Sequence, residues 1–300
     1  MNKIKSAKEK PASHAFRVST DEIRRKYRQE RAVEMPDRLE RRVALAPELA
    51  PRAAVNVSRE DGYVVVPAGR FEMGAVLAAS HAMLATADVA GKQADAHKAF
   101  LISLGEQRAW SLDSPILQLG LRPEIVAAAA SYLGMVPILQ YANFMYSSYT
   151  GEELLKSQLY HCDSDEAEQI KVFVLCDEVT PATGPLTFLP ASQSQVVRDR
   201  TGYRYKNRLT DQEVSDALGG LDSEVTMTGL AGTTAFIDTS RCLHYGSRFQ
   251  DRSAQRLVVM LQYVTPLAFL YTDDHRSTAR FRHLVTPESD ELTSLLLGVQ

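Results

Sequence analysis

The chain has 300 residues, 45% hydrophobic and 24% charged, with a formal net charge of −3. That is ordinary globular composition with length enough for a large core, and so small a charge argues against a whole-molecule nucleic-acid or membrane-surface binder. Three cysteines, Cys162, Cys176 and Cys242, with no Cys-x-x-Cys pair, do not make a disulfide framework and fit a reducing compartment.

The first residues, MNKIKSAKEKPASHAF, lack the apolar core of a secretory signal, and the early acids Glu9, Asp21 and Glu22 do not suit a mitochondrial presequence. The longest apolar run, 125–139, is interrupted by Ser131, Gly134 and Pro137 and is short for a membrane span. The expectation is a cytoplasmic protein without a membrane or nucleic-acid partner. Residues 1–57 stand apart as a charged N-terminal arm, partly helical or disordered, carrying Arg24, Arg25, Lys26, Arg28, Arg31, Arg38, Arg41 and Arg42. A helix is expected around 20–32, capped by Thr20 or Asp21, either solvated or packed on the main domain.

The main domain is expected over 58–300. Gly62 and the β-branched run Val64 to Val66 predict a first strand. Helices are predicted over 71–88, from helical spacing, and over 122–134, with Pro123 in its first turn and Gly134 as its stop. From about 136 short apolar runs alternate with turn residues: PILQYANFMYSS, SQLYH, IKVFVLCDEV, GPLTFLPAS, GTTAFIDTS and RLVVMLQYVTP. This pattern predicts a sandwich or closed barrel, so the fold class is mainly β with flanking α-helices. The basic segment RDRTGYRYKNR (198–208) reads as a solvated loop, or as a cover over a site that takes an anionic substrate. A last short helix is expected after Thr286 and Pro287.

The chemistry concentrates in His161-Cys162-Asp163. Side chains two apart on a strand point the same way, so His161 and Asp163 can converge on one point while Cys162 faces away. A third ligand is offered by His244, between two strand-like runs. Two histidines and a carboxylate make the facial triad of non-haem Fe(II) oxygenases. Arg256 begins RLVVMLQYV on the same face as Val258, Met260 and Gln262. A guanidinium in an apolar wall needs an anion, and its planar fork matches a carboxylate. A small dicarboxylate that chelates iron at one end would meet Arg256 at the other. Arg252 competes for that role but lies in a loop. A zinc site using Cys162 or Cys242 would prefer four closed ligands and leave Arg256 without a purpose. His275 with Asp273 and Asp274 reads as a solvated turn rather than a second metal site.

Taken in order, His161-x-Asp163, IKVFVLCDEVTPATGPLTFLPASQS, His244 and Arg256 resemble the phytanoyl-CoA dioxygenase-like family, over roughly residues 58–265. The family segment Gly-x-Leu-x-x-x-Pro-Gly-Ser-His stands here as Gly184-Pro185-Leu186-Thr187-Phe188-Leu189-Pro190-Ala191-Ser192-Gln193, its last part altered to Ala-Ser-Gln. The resemblance implies a double-stranded β-helix (jelly roll, cupin-like) and an Fe(II)- and 2-oxoglutarate-dependent oxygenase using O2. It implies iron on His161, Asp163 and His244, and the distal carboxylate of 2-oxoglutarate on Arg256. Thr187, Asn143 and Gln158 are further polar candidates for the cosubstrate, and Tyr141, Tyr146 and Arg204 for a small-molecule substrate. Hydroxylation with release of succinate and CO2 is expected ahead of halogenation, because Asp163 is present. Two alternatives remain open: a cupin-like metalloprotein using another metal and no 2-oxoglutarate, and a non-catalytic binding protein.

Overall fold

The computed structural model describes residues 19–269 and 280–299. His14 in the arm, and His275 with Asp273 and Asp274, lie outside the described residues. Helix α1 (Asp21–Glu34) opens at Thr20, whose hydroxyl accepts from the Ile23 amide at 3.5 Å, with Asp21 and Glu22 in the first turn facing the positive end of the helix. Helix α2 (Pro36–Leu49) follows with Pro36 at its start. Leu39, Ala46 and Leu49 are buried. So is Arg42, which donates to the carbonyls of Val136 (3.0 Å), Pro137 (3.2 Å), Leu295 (2.8 Å) and Val299 (3.0 Å). The arginines that mark this stretch in the sequence are therefore partly structural: a buried guanidinium is tolerated where carbonyls receive it.

The centre of the molecule is a six-stranded antiparallel sheet in the order β1-β7-β4-β9-β3-β2. Its strands are β1 (Tyr63–Val66), β2 (Leu101–Ser103), β3 (Ile138–Ser148), β4 (Ile170–Leu175), β7 (Thr234–Ile237) and β9 (Gln255–Val264). One face packs on helices. Leu257, Val259, Leu261 and Tyr263 of β9 and Ile170, Val172 and Val174 of β4 join Ile116 and Leu117 of α5 (Pro115–Gly120) and Val126, Ala127 and Ala130 of α6 (Pro123–Leu133) in one core. Helix α6 ends at Gly134, whose φ of +74° is the left-handed conformation a helix stop requires. Helices α3 (Gly74–Thr86) and α4 (Val89–Asp95) lie between β1 and β2 in sequence.

The opposite face meets a smaller antiparallel sheet, β6-β5-β8, built from β5 (Leu186–Phe188), β6 (Val225–Met227) and β8 (His244–Tyr245). Met145, Leu175, Ala235, Ile237 and Val258 of the large sheet pack with Phe188, Met227 and Cys242 of this layer. The two sheets stay separate, so the architecture is a pair of facing antiparallel sheets with helices outside and, among the described residues, no closed barrel.

Between β5 and β6 the chain forms α7 (Ala191–Thr201) and α8 (Asp211–Leu218). The basic segment 198–208 begins as the end of α7, and Arg200, Arg204, Lys206 and Arg208 are exposed, as the solvated reading expects, while its other members turn inward. Arg198 is buried and pairs with Asp21 at 3.0 Å, and Tyr203 and Tyr205 sit in a core with Val197 and Val214. Its charges lie beside apolar rings that fold inward, a choice composition does not reveal. Helix α8 is not among the predicted elements, although Thr210-x-x-Glu213 is a capping box, with Thr210 Oγ1 accepting from the Glu213 amide and Glu213 Oε2 accepting from the Thr210 amide. The last helix, α9 (Glu291–Leu296), is capped by Asp290 rather than by Thr286. Among the described residues no helix is long and apolar enough to cross a membrane.

Candidate metal centre

His161 and His244 stand directly opposite each other as an antiparallel bridge. Each amide donates to the other's carbonyl at 3.0 Å. Directly opposed residues project to the same side of a sheet, and the two rings lie 4.3 Å apart between centroids. Their orientation is fixed the same way twice: Nδ1 of His161 meets the Leu159 carbonyl and Nδ1 of His244 the Cys242 carbonyl, both at 2.9 Å. A carbonyl can only accept, so each Nδ1 carries the proton and each Nε2 keeps its lone pair. Burial holds both imidazoles below the usual histidine range, more strongly for His161, where His244 adds to the effect. Both are therefore neutral, as metal ligands must be.

Asp163 comes next along the same segment. Its amide donates to the Thr239 carbonyl at 2.8 Å, which turns the carboxylate toward the histidines. Asp163 Oδ2 lies 3.8 Å from His244 Nε2. One ligand atom from each of His161, Asp163 and His244 falls within 4.8 Å of the others. Burial pushes the Asp163 carboxyl up, but the Lys171 ammonium, 2.7 Å away, outweighs it and holds the group well below the usual carboxylate range. The set is two neutral nitrogens and one anionic oxygen on one side of a point, which suits a non-haem Fe(II) centre with open positions. The cysteines do not join it. Cys162 Sγ turns to Arg198 and Cys242 Sγ to the carbonyl of Asp61, and burial pushes the Cys162 thiol up to about 12, so a His/Cys zinc site has no support.

The triad opens into a cavity of about 300 Å³ between the two sheets, also lined by Lys98, Tyr141, Lys171, Arg256 and Gln262. Arg256 is buried on the cavity face of β9. It donates to the Gly184 carbonyl and to the hydroxyls of Ser147 (3.3 Å) and Ser247 (3.2 Å), and its Nε has no partner. No carboxylate among the described residues pairs with it, and burial brings its pKa down to about 10. Gly184, from the family-like segment, is held at φ +65°, and a Cβ there would press on the Phe249 ring at 2.8 Å. Ser247 adopts φ +62°, a conformation costly without glycine and held here by Gln158 Nε2, which donates to its carbonyl at 2.8 Å.

The guanidinium also lies against Gly246, where a Cβ would stand 3.6 Å from Arg256 Nη2. Gly246 is two residues past His244, at most about 7 Å of chain. Arg256 and the triad are thus separated by a span that a five-carbon dicarboxylate can bridge.

The other residues singled out by sequence fall in three places. Tyr141 lines the cavity, its hydroxyl 2.7 Å from Ser103 Oγ. Gln158 and Thr187 line a neighbouring cleft on the far side of Tyr245 and Ser247; Gln158 bears on the cavity only through Ser247. Asn143 is occupied by Gly105, accepting from its amide at 3.0 Å and donating to its carbonyl at 2.8 Å. Tyr146 has the other strand parity and packs in the helix-side core, its hydroxyl on Gln255. Arg204 borders a separate crevice with Asp21 and Arg25. Arg252 is exposed and paired with Glu152. Sequence reasoning missed Lys171, although a lysine inside the apolar run Ile170–Leu175 was a signal, and it missed Lys98, which carried none.

No protein-family model matches the chain, and no curated protein matches it in sequence. Among solved structures it is similar to EctD from S. alaskensis in its apo form, with a TM-score of 0.50 and 20% identity over 71% of this chain and 78% of that one. A structure of the same protein with 2-oxoglutarate and 5-hydroxyectoine gives 0.49 and 20%, over 71% and 77%. The non-heme alpha ketoglutarate dependent epimerase SnoN from nogalamycin biosynthesis gives 0.46 and 20%, over 74% and 83%. At this identity the apo EctD match shows a shared fold.

Proposed function

We propose that this protein is an Fe(II)- and 2-oxoglutarate-dependent oxygenase on a jelly-roll scaffold of the phytanoyl-CoA dioxygenase-like type, which hydroxylates an aliphatic C–H bond of a small molecule. The observation that carries the reading is Arg256: a buried cation with no carboxylate partner among the described residues, in the same cavity as a neutral His/His and ionised Asp set. A buried unpaired charge is costly, and a binding site for an anion is the usual reason to keep one.

When bound, iron with 2-oxoglutarate supplies the oxidising chemistry, drawing on O2 and releasing succinate and CO2. The chain's own residues do the positioning. His161 and His244 would offer Nε2, each held by a backbone carbonyl at its far nitrogen. Asp163 would offer a carboxylate oxygen, its side chain held in place by Lys171. Arg256 would take the distal carboxylate of the cosubstrate in its fork, steadied by Gly184, Ser147 and Ser247. The cavity volume lies at the low end of ligand pockets, ~300–1,000 Å³, which fits a small molecule.

The test is anaerobic addition of Fe(II) and then 2-oxoglutarate to metal-free protein. A visible metal-to-ligand charge-transfer band is expected, absent in His161→Ala and needing far more 2-oxoglutarate in Arg256→Met. No band in the wild-type protein at any cosubstrate concentration would overturn the reading.

A further inference from the structure

The cavity holds more positive charge than the iron and cosubstrate reading consumes. Lys98, Lys171 and Arg256 face it, against the single carboxylate of Asp163. A divalent metal adds two positive charges and a dicarboxylate cosubstrate cancels those two, so the excess of two cations remains. Lys171 is committed to Asp163 at 2.7 Å. Lys98 is not committed: it lies in the turn just before β2, half-buried, and its ammonium has no hydrogen-bond or ion-pair partner among the described residues. Burial pulls its pKa down, and the charges around it are Asp163, Lys171, Arg208 and Lys156. The amine of Lys156 is tied to the carbonyl of His97, next door. Lys98 precedes β2 and Arg256 opens β9, with β3 between them in the sheet, so the two cations line one cavity from different strands. Apolar side chains of Leu101, Phe173, Leu175 and Met260 line the same cavity.

We propose that the molecule acted on in this cavity is a small amphiphilic anion, an aliphatic compound whose carboxylate or phosphate pairs with Lys98 while its hydrocarbon lies along Leu101, Phe173 and Met260. The inference rests on the oxygenase reading for the role of the cavity, but the charge excess exists without metal, so binding can be tested without it. A charge-assisted contact to a half-desolvated ammonium orients the substrate, and the apolar wall excludes water from the rest of it.

The experiment is ligand-observed NMR on the metal-free full chain carrying Arg256→Met, which removes the other cation open to a carboxylate, with four probes: hexanoate, hexyl phosphate, hexan-1-ol and hexylammonium. One or both anions should broaden, and the alcohol and the amine should not. Adding Lys98→Met should weaken anion binding by about tenfold or more, the loss of one hydrogen bond to a charged group. Adding Lys98→Arg instead should keep it. Which anion binds tells carboxylate from phosphate. Equal binding of hexan-1-ol, no binding of either anion, or anion binding that survives Lys98→Met would each overturn the proposal. Failure of the oxygenase reading would show separately, as a missing charge-transfer band with anion binding intact.

Discussion

Strand β9 presents two different surfaces to the molecule. Leu257, Val259, Leu261 and Tyr263 enter the core shared with α5 and α6, where polar groups are few and satisfied: the Tyr263 hydroxyl donates to the Gly120 carbonyl at 2.7 Å. Arg256, Val258, Met260 and Gln262 alternate with them and face the cavity. Arg256 there keeps an unpartnered Nε. Strand β4 repeats the division, with Val172 and Val174 on the helices and Lys171 and Phe173 on the cavity. One face is dry and close-packed and supplies stability. The other carries unneutralised charge that packing alone would not retain. The large sheet thus holds Arg256 and Lys171 on a backbone packed from behind, while His244 sits on β8 of the facing sheet with His161 bridged to it.

Variants on the two faces should therefore fail in different ways. The largest effect is expected from His161→Ala or Asp163→Ala. Metal affinity, read by equilibrium dialysis, should fall by more than the ~10–100-fold typical of losing a ligand's hydrogen-bond partner; the melting temperature of metal-free protein should be little changed in His161→Ala and lowered in Asp163→Ala, which leaves the buried Lys171 unpaired. Metal affinity that survived either change would break the comparison.

On the helix face, Leu261→Ala should cost about 2–5 kcal/mol in chemical denaturation, because the side chain is fully buried beside Leu139 and Gly120. Met260→Ala, one residue away, should cost less, because it borders a cavity already present.

Arg256→Met sharpens the contrast further. It should weaken 2-oxoglutarate binding by about 2–5 kcal/mol, as for removal of one member of a buried hydrogen-bonded charge pair. It should also leave the melting temperature unchanged or raised, because an unpaired buried cation gives way to an apolar chain of similar length. A strongly destabilised variant would mean that Arg256 is structural.

The smallest effect concerns the seam between the layers, where the Tyr132 hydroxyl of α6 donates to Asp238 Oδ2 at 2.8 Å. Burial pushes the Asp238 carboxyl up to about 7, against the pull of Arg241 and Tyr132. A folded-state value above the unfolded ~3.9 gives stability that is complete below about pH 4 and is lost as pH rises through 7. Melting temperatures of the wild-type protein and Asp238→Asn across pH 4–8 should differ in slope, the variant being flatter. Parallel curves would count against a neutral Asp238.

Much of the site could be read from spacing. A single residue between His161 and Asp163, a histidine between two strand-like runs, and an arginine opening the alternation of β9 are local facts with direct geometric consequences. Lys171 could have been read in the same way. Tyr146 was misplaced by one step of strand parity relative to the cavity, since YANFMY gives no sign of which alternate set faces in until its partners on β9 are known. Asn143 and Lys98 could not be read at all. The first is taken up by the backbone of Gly105, and the second reaches the triad from a turn 63 residues before His161 in the chain.

The sequence by itself determined the alternation of the long strands, the stop of α6 at Gly134 and the placement of His161 and Asp163 on one face, because each follows from periodicity or from chemistry within a few residues. Only the tertiary structure decided that Arg198, Tyr203 and Tyr205 of the basic segment turn inward, that two sheets face each other, and that Arg256 and Lys98 line one cavity. Those outcomes depend on which distant backbone a side chain meets. Burial and pairing with distant groups set the free energy of a charge, and neither is written in its immediate neighbours.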